Sequence, residues 1–595
     1  MPDEYRHCQV RLQMEQQRFL NFGLEAGVLY TERTLCETLR INRSLLLAVL
    51  AEIKTLLEHY ATTNGKYVEQ TPQAEIEWND EGEPETDLVA LLCLPSSGSA
   101  VGPSSDLNEK HKRSKQLRKV AKGIVQTGRN LLTITLEPKR LVWAAVDKAS
   151  FDSLIARLTD LNSFLIALLD GSQIKRLQNT MDTSYNEILQ IRDDIKSLTG
   201  LIKALSTDNE KGDELLGADA TKGSPIRQLL LQETEAQVKM KRHLKKLAEV
   251  KIQYKRIDHL DTEPVSTDRK PLNLSQFIFG FQTPGDVFPK NHTLAIYEGR
   301  HVWIEWASYP SNQLKSDRLN TRPEDRIRLL IDLLCDEMPA GFLSPTTLGY
   351  VKSIGNEDET WFGIVFEKPP NFASAEVVTL HQLPHQPVPS LSARISLCAA
   401  LAECIYTFHT VDWLHKGLRS EKVIFFSQQP FTVDLCTPYV LGYELSRPNI
   451  LDELTEEPRF NPCEDIYRHP SAQSSQYSGN YRKSYDFYSF GILLIEIATW
   501  KPIQDFLGFA NLASAKPSEL LTVRRQLLED RVLLQHISSI IGDSYKEIVV
   551  LCLRADESEI PTYDGESGTS IAVRLQRTLG QNVAKKLRDM ERAIN

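Results

Sequence analysis

SYDFYSFGILLIEIATWKPI, residues 484–503, decides how the C-terminal half is read. From Tyr485 to Thr499 it predicts an apolar helix. Upstream, LHKGLRSEKVIFF, residues 414–426, reads as a loop entering the strand Val423–Phe426, with Pro438–Tyr443 as a later strand. Ser392–Thr410 predicts a long helix with Cys398, Leu401, Ile405 and Phe408 on one face. Further back, Leu294–Ile296 and His301–Trp306 read as strands around a Glu298-Gly299 turn, Arg326–Leu334 as a helix and Trp361–Phe366 as a strand. Strands first and helices afterwards predict a two-lobed α+β unit over 271–595.

The N-terminal half has a different texture. Leu12, Phe19, Phe22 and Leu29 recur at helical spacing, and Leu45 to Leu57 forms a second periodic run. Glu69 to Asp87 then holds eight acidic side chains and no basic one, so 69–109 is expected to be an acidic, mobile loop within an all-α bundle over 1–205. Leu117–Leu136 and Phe151–Leu169 predict further helices. Met181, Ile188, Ile191, Ile195, Leu198, Ile202 and Leu205 follow an a/d heptad, which fits either a short coiled coil or a helix packing on its own bundle. Residues 206–270 read as a polar linker followed by a basic helix, 226–257.

Bulk composition narrows the function classes. The chain has 595 residues, 41% apolar and 25% charged, which suits several soluble globular domains. Its net charge of −10 argues against a polycation built for nucleic acid. Nine scattered cysteines, never spaced C-x-x-C, suggest free thiols in a reducing cytoplasm rather than a disulfide framework or a zinc site. For Cys398 and Cys404 the expectation is burial as small apolar side chains. A polar N-terminus and the lack of a run of about 18 apolar residues predict neither a signal peptide nor a permanent membrane span.

The segment 414–426 resembles the catalytic loop of protein kinases, H-R-D-L-K-x-x-N, and 484–503 resembles their D-x-x-S-F-G-x-x-L-x-E helix, through Asp486, Phe490, Gly491 and Glu496. Tyr467-Arg468-His469-Pro470 sits where kinases end their activation segment. The resemblance implies that Asp486 anchors the loop backbone and that His415 packs in the core. Phosphoryl transfer needs a glycine loop, a third-strand lysine, a base and metal ligands. No G-x-G occurs, and the lysine position is expected near Ala307. The loop reads His415-Lys416-Gly417, with Gly417 in place of the base and Lys422 in place of the metal-ligand Asn. Asp434 is the one alternative metal ligand. These losses point to a pseudokinase with no catalytic residues. ATP binding stays open only because strand Phe362–Phe366 could offer backbone groups to a purine.

EYRHCQVRLQMEQQRFLNFG, residues 4–23, resembles the fungal HeLo domain through Tyr5, Cys8-Gln9, Arg11-Leu12, Arg18 and Gly23, and 44–68 and 118–170, with Trp143, are similar to its later helices. The resemblance implies a membrane-permeabilising bundle of fungal self/non-self recognition and regulated cell death, held inactive until a signal oligomerises it. The family's apolar first helix precedes this tract, and only four residues precede Tyr5, so the membrane-inserting helix is expected to be missing. Two basic tracts, with Lys110, Lys112, Arg113 and Lys115 in one and Lys239, Lys241 and Arg242 in the other, are candidate contacts for an anionic membrane, or else solvated helix faces. The expected partners are further copies of the chain or related HeLo proteins. Three functions compete: a pseudokinase-controlled membrane executor recruited from the cytoplasm, a soluble scaffold or inhibitor of such executors, and a divergent active kinase.

Overall fold

The computed structural model describes residues 2–26, 49–57, 148–167, 194–207, 225–258, 270–279, 292–310, 323–354, 359–427, 433–443, 460–474 and 481–594, with short breaks inside the longer spans and a few single positions besides. The acidic stretch 69–109, the tract with Lys110, Lys112, Arg113 and Lys115, and Trp143, Met181 and Ile191 lie outside these residues. The chain divides into two units, Met1–Glu249 and Val250–Asn595.

In the first unit the Tyr5–Gly23 tract lies within one helix, α1 (Pro2–Glu25), which packs on α2 (Lys148–Ala167) and α3 (Ile195–Thr207). Leu12, Phe19 and Phe22 of α1 are buried, as are Phe151, Ile155 and Leu165 of α2. On α3 Leu198, Leu201, Ala204 and Leu205 are buried, whereas Ile195 and Ile202 are only half-buried. This part of the heptad is therefore spent on packing within the bundle. The α1–α2 seam also encloses a polar layer. Glu15 accepts from Arg18 at 3.0 Å and from the Asn162 amide at 2.8 Å, and Arg18 donates to Ser163 Oγ at 3.0 Å. Glu15, Arg18 and Asn162 are all buried, so each needs these partners to offset its lost hydration.

Helix α4 (Pro225–Asp258) runs through the division at Glu249/Val250, so the boundary falls inside the basic helix.

The second unit begins with a five-stranded antiparallel sheet in the order β1-β2-β3-β5-β4. Its strands are β1 (Phe277–Phe279), β2 (His292–Tyr297), β3 (Arg300–Pro310), β4 (Thr347–Ile354) and β5 (Glu359–Glu367). The β2–β3 hairpin turns on Glu298 and Gly299, with φ of 49° and 77°. A two-residue turn of this kind needs positive φ at both positions, and Gly299 adopts it without steric cost. Helix α5 (Pro323–Cys335) links β3 to β4 and packs on β4. One sheet face is closed by Phe277, Ala295, Val302, Ile304, Trp306, Val351 and Val365.

A three-stranded sheet follows, with β7 (Val423–Ser427) between β6 (Glu376–Thr379) and β8 (Tyr439–Val440). The rest is helical. Helix α6 (Leu391–Thr410) is capped by Ser390, whose side chain accepts from the Ala393 N–H. Among the described residues it is the one helix long and apolar enough to cross a membrane, and 72% of that window is buried, which marks it as a core helix. Cys398 and Cys404 lie on it and are buried, and burial pushes the Cys398 thiol up to about 12. Helix α7 (Lys483–Thr499) is buried from Lys483 to Ala498 and packs on α8 (Asp543–Leu553). It ends where Trp500 turns left-handed, at φ 52°.

Candidate functional site

The site is the loop between α6 and β7, Val411–Lys422, and the groups that close on it. Helix α7 supplies its anchor. Asp486 is buried, and each of its oxygens receives two donors. Oδ2 accepts from the His415 N–H at 2.9 Å and from His409 Nε2 at 3.0 Å. Oδ1 accepts from the Lys416 N–H at 2.9 Å and from the Tyr481 hydroxyl at 2.9 Å. Burial alone would raise this carboxyl's pKa, but the donors, led by His409, hold it below the ordinary value. His409 itself stays neutral because burial outweighs the nearby carboxylate. The same two backbone bonds hold Lys416 at φ 62°, a strained position for a residue with a side chain.

His415 is buried, and its Nε2 bonds the Leu441 carbonyl at 2.8 Å while Nδ1 accepts from the Gly417 N–H at 3.3 Å. The imidazole is thus committed to holding the loop against the β8 side. Gly442, next to Leu441, has φ 97°, and a Cβ there would come within 3.1 Å of the His415 ring. Gly417 offers no side chain at the position the kinase resemblance gives to the base.

Lys422 ends the loop with its ammonium against the carboxylate of Glu305 on β3. The pair's side chains are 13% and 6% exposed. Glu305 also accepts from the Gly442 N–H at 3.4 Å. His292 faces Glu305 across the β2–β3 ladder, and its pKa is lowered by burial and then by Lys368 and Lys422. Trp303, two residues before Glu305, stacks on Phe366 of β5 at 5.1 Å and meets Phe426 of β7 edge-on at 5.2 Å. Aromatic rings therefore fill the space between the two sheets.

From β3 the side chain that meets the loop is Glu305, two residues before Ala307, near which the sequence placed the lysine position. One sequence expectation changes here. Strand Phe362–Phe366 is central in its sheet, laddered to β3 on one side and β4 on the other, so its backbone groups are already paired and are not free for a purine.

Asp434 is exposed and caps its own turn, accepting from the Cys436 N–H at 2.9 Å. Among the described residues no group of three His, Cys, Asp or Glu side chains could hold a metal ion. Phe490 is fully buried, and a Cβ on Gly491 would come within 3.1 Å of Cys552 Cβ, so Gly491 sets how closely α7 and α8 approach. Glu496 is buried, and its Oε1 accepts from the Tyr467 hydroxyl at 2.7 Å and the Ile503 N–H at 2.8 Å.

Behind the loop, Asp412 holds two ammonium groups, Lys483 at 2.7 Å and Lys251 of α4 at 2.8 Å. Burial would raise its carboxyl's pKa, but Lys251, Lys483 and Lys255 hold it well below the ordinary range. Lys251 is fully buried, and Tyr254, one turn on, stacks on Trp413 at 4.8 Å. Sequence reading treated the end of the basic tract as solvated or lipid-facing, and nothing local marked Lys251 as buried. Earlier on α4, Lys239 and Arg242 are exposed and Lys241 is half-buried, while Leu244 and Leu247 are buried.

Compared with known families, residues 1–201 match the HeLo family, described as "Prion-inhibition and propagation". Residues 372–592 match a domain of unknown function, DUF7580. No curated protein matches the chain. The chain thus joins a helical N-terminal unit that matches the prion-inhibition and propagation family to a C-terminal unit of sheets and helices.

Proposed function

We propose that the second unit is a kinase-like module without phosphoryl-transfer activity, and that it controls a HeLo bundle acting at a membrane in regulated cell death. One observation carries this reading. Asp486 accepts four hydrogen bonds, two of them from the His415 and Lys416 N–H groups of the loop 411–422, yet the loop presents Gly417 and Lys422 where a base and a metal ligand would stand. The order of elements supports it: three strands, a helix, two strands and then a mainly helical region, with the third strand aimed at the loop. The residues do not suit a metal–nucleotide complex. An ammonium stands where a magnesium ligand would have to be an oxygen, and a carboxylate stands where phosphates would need a cation.

For the bundle, the exposed basic face of α4 suits anionic headgroups, at about 1 kcal/mol per basic side chain near the surface. In this reading the protein works in the cytoplasm, associates with itself or related HeLo proteins, and is recruited to the plasma membrane.

The test has two arms, both on the full chain. Incubation with Mg-ATP should give no phosphate incorporation into the protein or a generic substrate; robust incorporation would replace the reading with an active kinase. Vesicles containing phosphatidylserine should bind the chain, and neutral vesicles should not. Replacing Lys239, Lys241 and Arg242 by Gln should weaken that binding roughly 100-fold. Binding to neither vesicle type would favour a soluble scaffold instead, and equal binding to both would overturn the role given to the basic face.

A further inference from the structure

We propose that Trp303, Glu305 and Lys422 form an internal plug that takes the place of a nucleotide and keeps the second unit closed without any ligand. The proposal rests on the kinase-like reading and goes one step further, from lost chemistry to a filled site.

Trp303 and Glu305 are two residues apart on β3, so their side chains leave the same face of the sheet. That face meets β7 and the loop. Trp303 is fully buried, stacked with Phe366 of β5 and in edge contact with Phe426 of β7. A planar ring system already fills the apolar gap between the sheets. Beside it, the Glu305 carboxylate takes the Lys422 ammonium on Oε1 and the Gly442 N–H on Oε2. The loop and the β8 side are thus both tied to one strand of the sheet. In a nucleotide site these positions would be held apart by phosphate and metal. Here the chain supplies opposite charges that meet directly.

The surroundings reinforce this pairing. Lys368 is buried, but it is spent on the Ala375 carbonyl at 2.7 Å, and burial lowers its pKa. The pKa of His292 is lowered too, which keeps it uncharged. Lys422 therefore supplies Glu305 with its countercharge within this cleft, and an incoming triphosphate would have to draw that ammonium away and face the buried carboxylate.

Charge exchange in the full chain tests the plug. Glu305→Lys alone sets two cations together, and Lys422→Glu alone sets two anions together. Each should lower the melting temperature of the second unit by roughly 10 °C and speed amide exchange across 300–310 and 411–423. The double variant should recover most of both losses, because the pair is restored with its charges exchanged. A double variant as damaged as the singles, or singles that melt like the parent, would overturn the plug. Millimolar Mg-ATP should leave the parent's melting temperature unchanged. A rise of several degrees without phosphate transfer would overturn the plug and leave the inactive module standing, whereas a rise with phosphate transfer would overturn both.

Discussion

Asp486 in the first turn of α7 and Glu496 near its other end are carboxylates on one buried helix, and the fold treats them in opposite ways. Asp486 has two donors on each oxygen and sits where the helix dipole favours an anion. Glu496 accepts on Oε1 from Tyr467 and Ile503, while Oε2 is buried with no hydrogen-bond partner among the described residues, at the end where the dipole disfavours negative charge. Burial is complete at both, yet the Asp486 carboxyl is held below its ordinary pKa and burial pushes that of Glu496 up to about 7. The number and placement of donors, rather than burial, decides whether a buried acid stays charged. The charged one holds the loop, and the other holds the Tyr467 segment and the turn at Ile503.

The largest effect should come from breaking the charged end. Asp486→Asn keeps the shape but replaces one acceptor oxygen by an NH2 group that faces two donors. The cost should be about 3–5 kcal/mol, measured by urea unfolding of the full chain at pH 7. The parent carboxyl titrates lower in the folded chain than in the unfolded chain. Its stabilisation is therefore present above about pH 4 and is lost as pH falls through the folded value. The Asn variant should lack that acid-side loss. A cost below about 1 kcal/mol would mean that the loop holds itself and that Asp486 is an ordinary core polar group.

Glu496→Gln should act in the opposite direction. Burial pushes the parent carboxyl's pKa up from its ordinary 4.5 to about 7 in the folded chain, so its neutral form favours folding. That stability is fully present below about pH 4.5 and is lost as pH rises towards 7, by up to about 3 kcal/mol at pH 8. The amide keeps an oxygen for Tyr467 and Ile503 and carries no charge. The variant should therefore match the parent at pH 4.5 and exceed it at pH 8. Equal stability at both pH values would show that water or a cation reaches Oε2, and the contrast between the two ends of α7 would shrink to one of degree.

A third acid, half-buried with its side chain 19% exposed, sharpens the rule. Asp412 is flanked by Lys251 and Lys483, so it has more cations than it needs. Lys251→Met should cost only about 1 kcal/mol, because Lys483 still neutralises Asp412 and a buried ammonium has been removed. Asp412→Asn, which strands both cations, should cost distinctly more in the same unfolding assay.

What could be read from the sequence follows the same physics. The elements were legible because periodicity is local: Arg326–Leu334, Ser392–Thr410 and Val423–Phe426 lie within the observed α5, α6 and β7. Asp486 was legible because the segment 484–503 resembles the kinase D-x-x-S-F-G-x-x-L-x-E helix, whose Asp anchors a loop. Glu305 was not, because a Glu between Ile304 and Trp306 also fits a strand with one wet face, and its partner lies 117 residues away. Lys251 was hidden in the same manner inside a basic run. Strand Phe362–Phe366 showed its apolar pattern but not its neighbours, and only the sheet order reveals that both its edges are used. Buried charges are chosen by pairing, and pairing is a property of the fold.

A further, modest effect probes the donor side of Glu496. The Tyr467 hydroxyl donates to Glu496 Oε1 and lies 2.8 Å from Ser420 Oγ, on the loop that Asp486 holds from its other side. Tyr467→Phe removes one donor without changing the packed ring. Where Glu496 is protonated, near pH 4.5, the loss should be about 1 kcal/mol, the worth of a neutral hydrogen bond. Near pH 8 the lost bond is to a carboxylate, and the loss should approach 2 kcal/mol. Because this hydroxyl lowers the Glu496 pKa, its removal should also carry the decline of stability to higher pH than in the parent. A pH-independent loss would mean that the hydroxyl serves Ser420 alone, and that Glu496 is held in place by the Ile503 N–H without it.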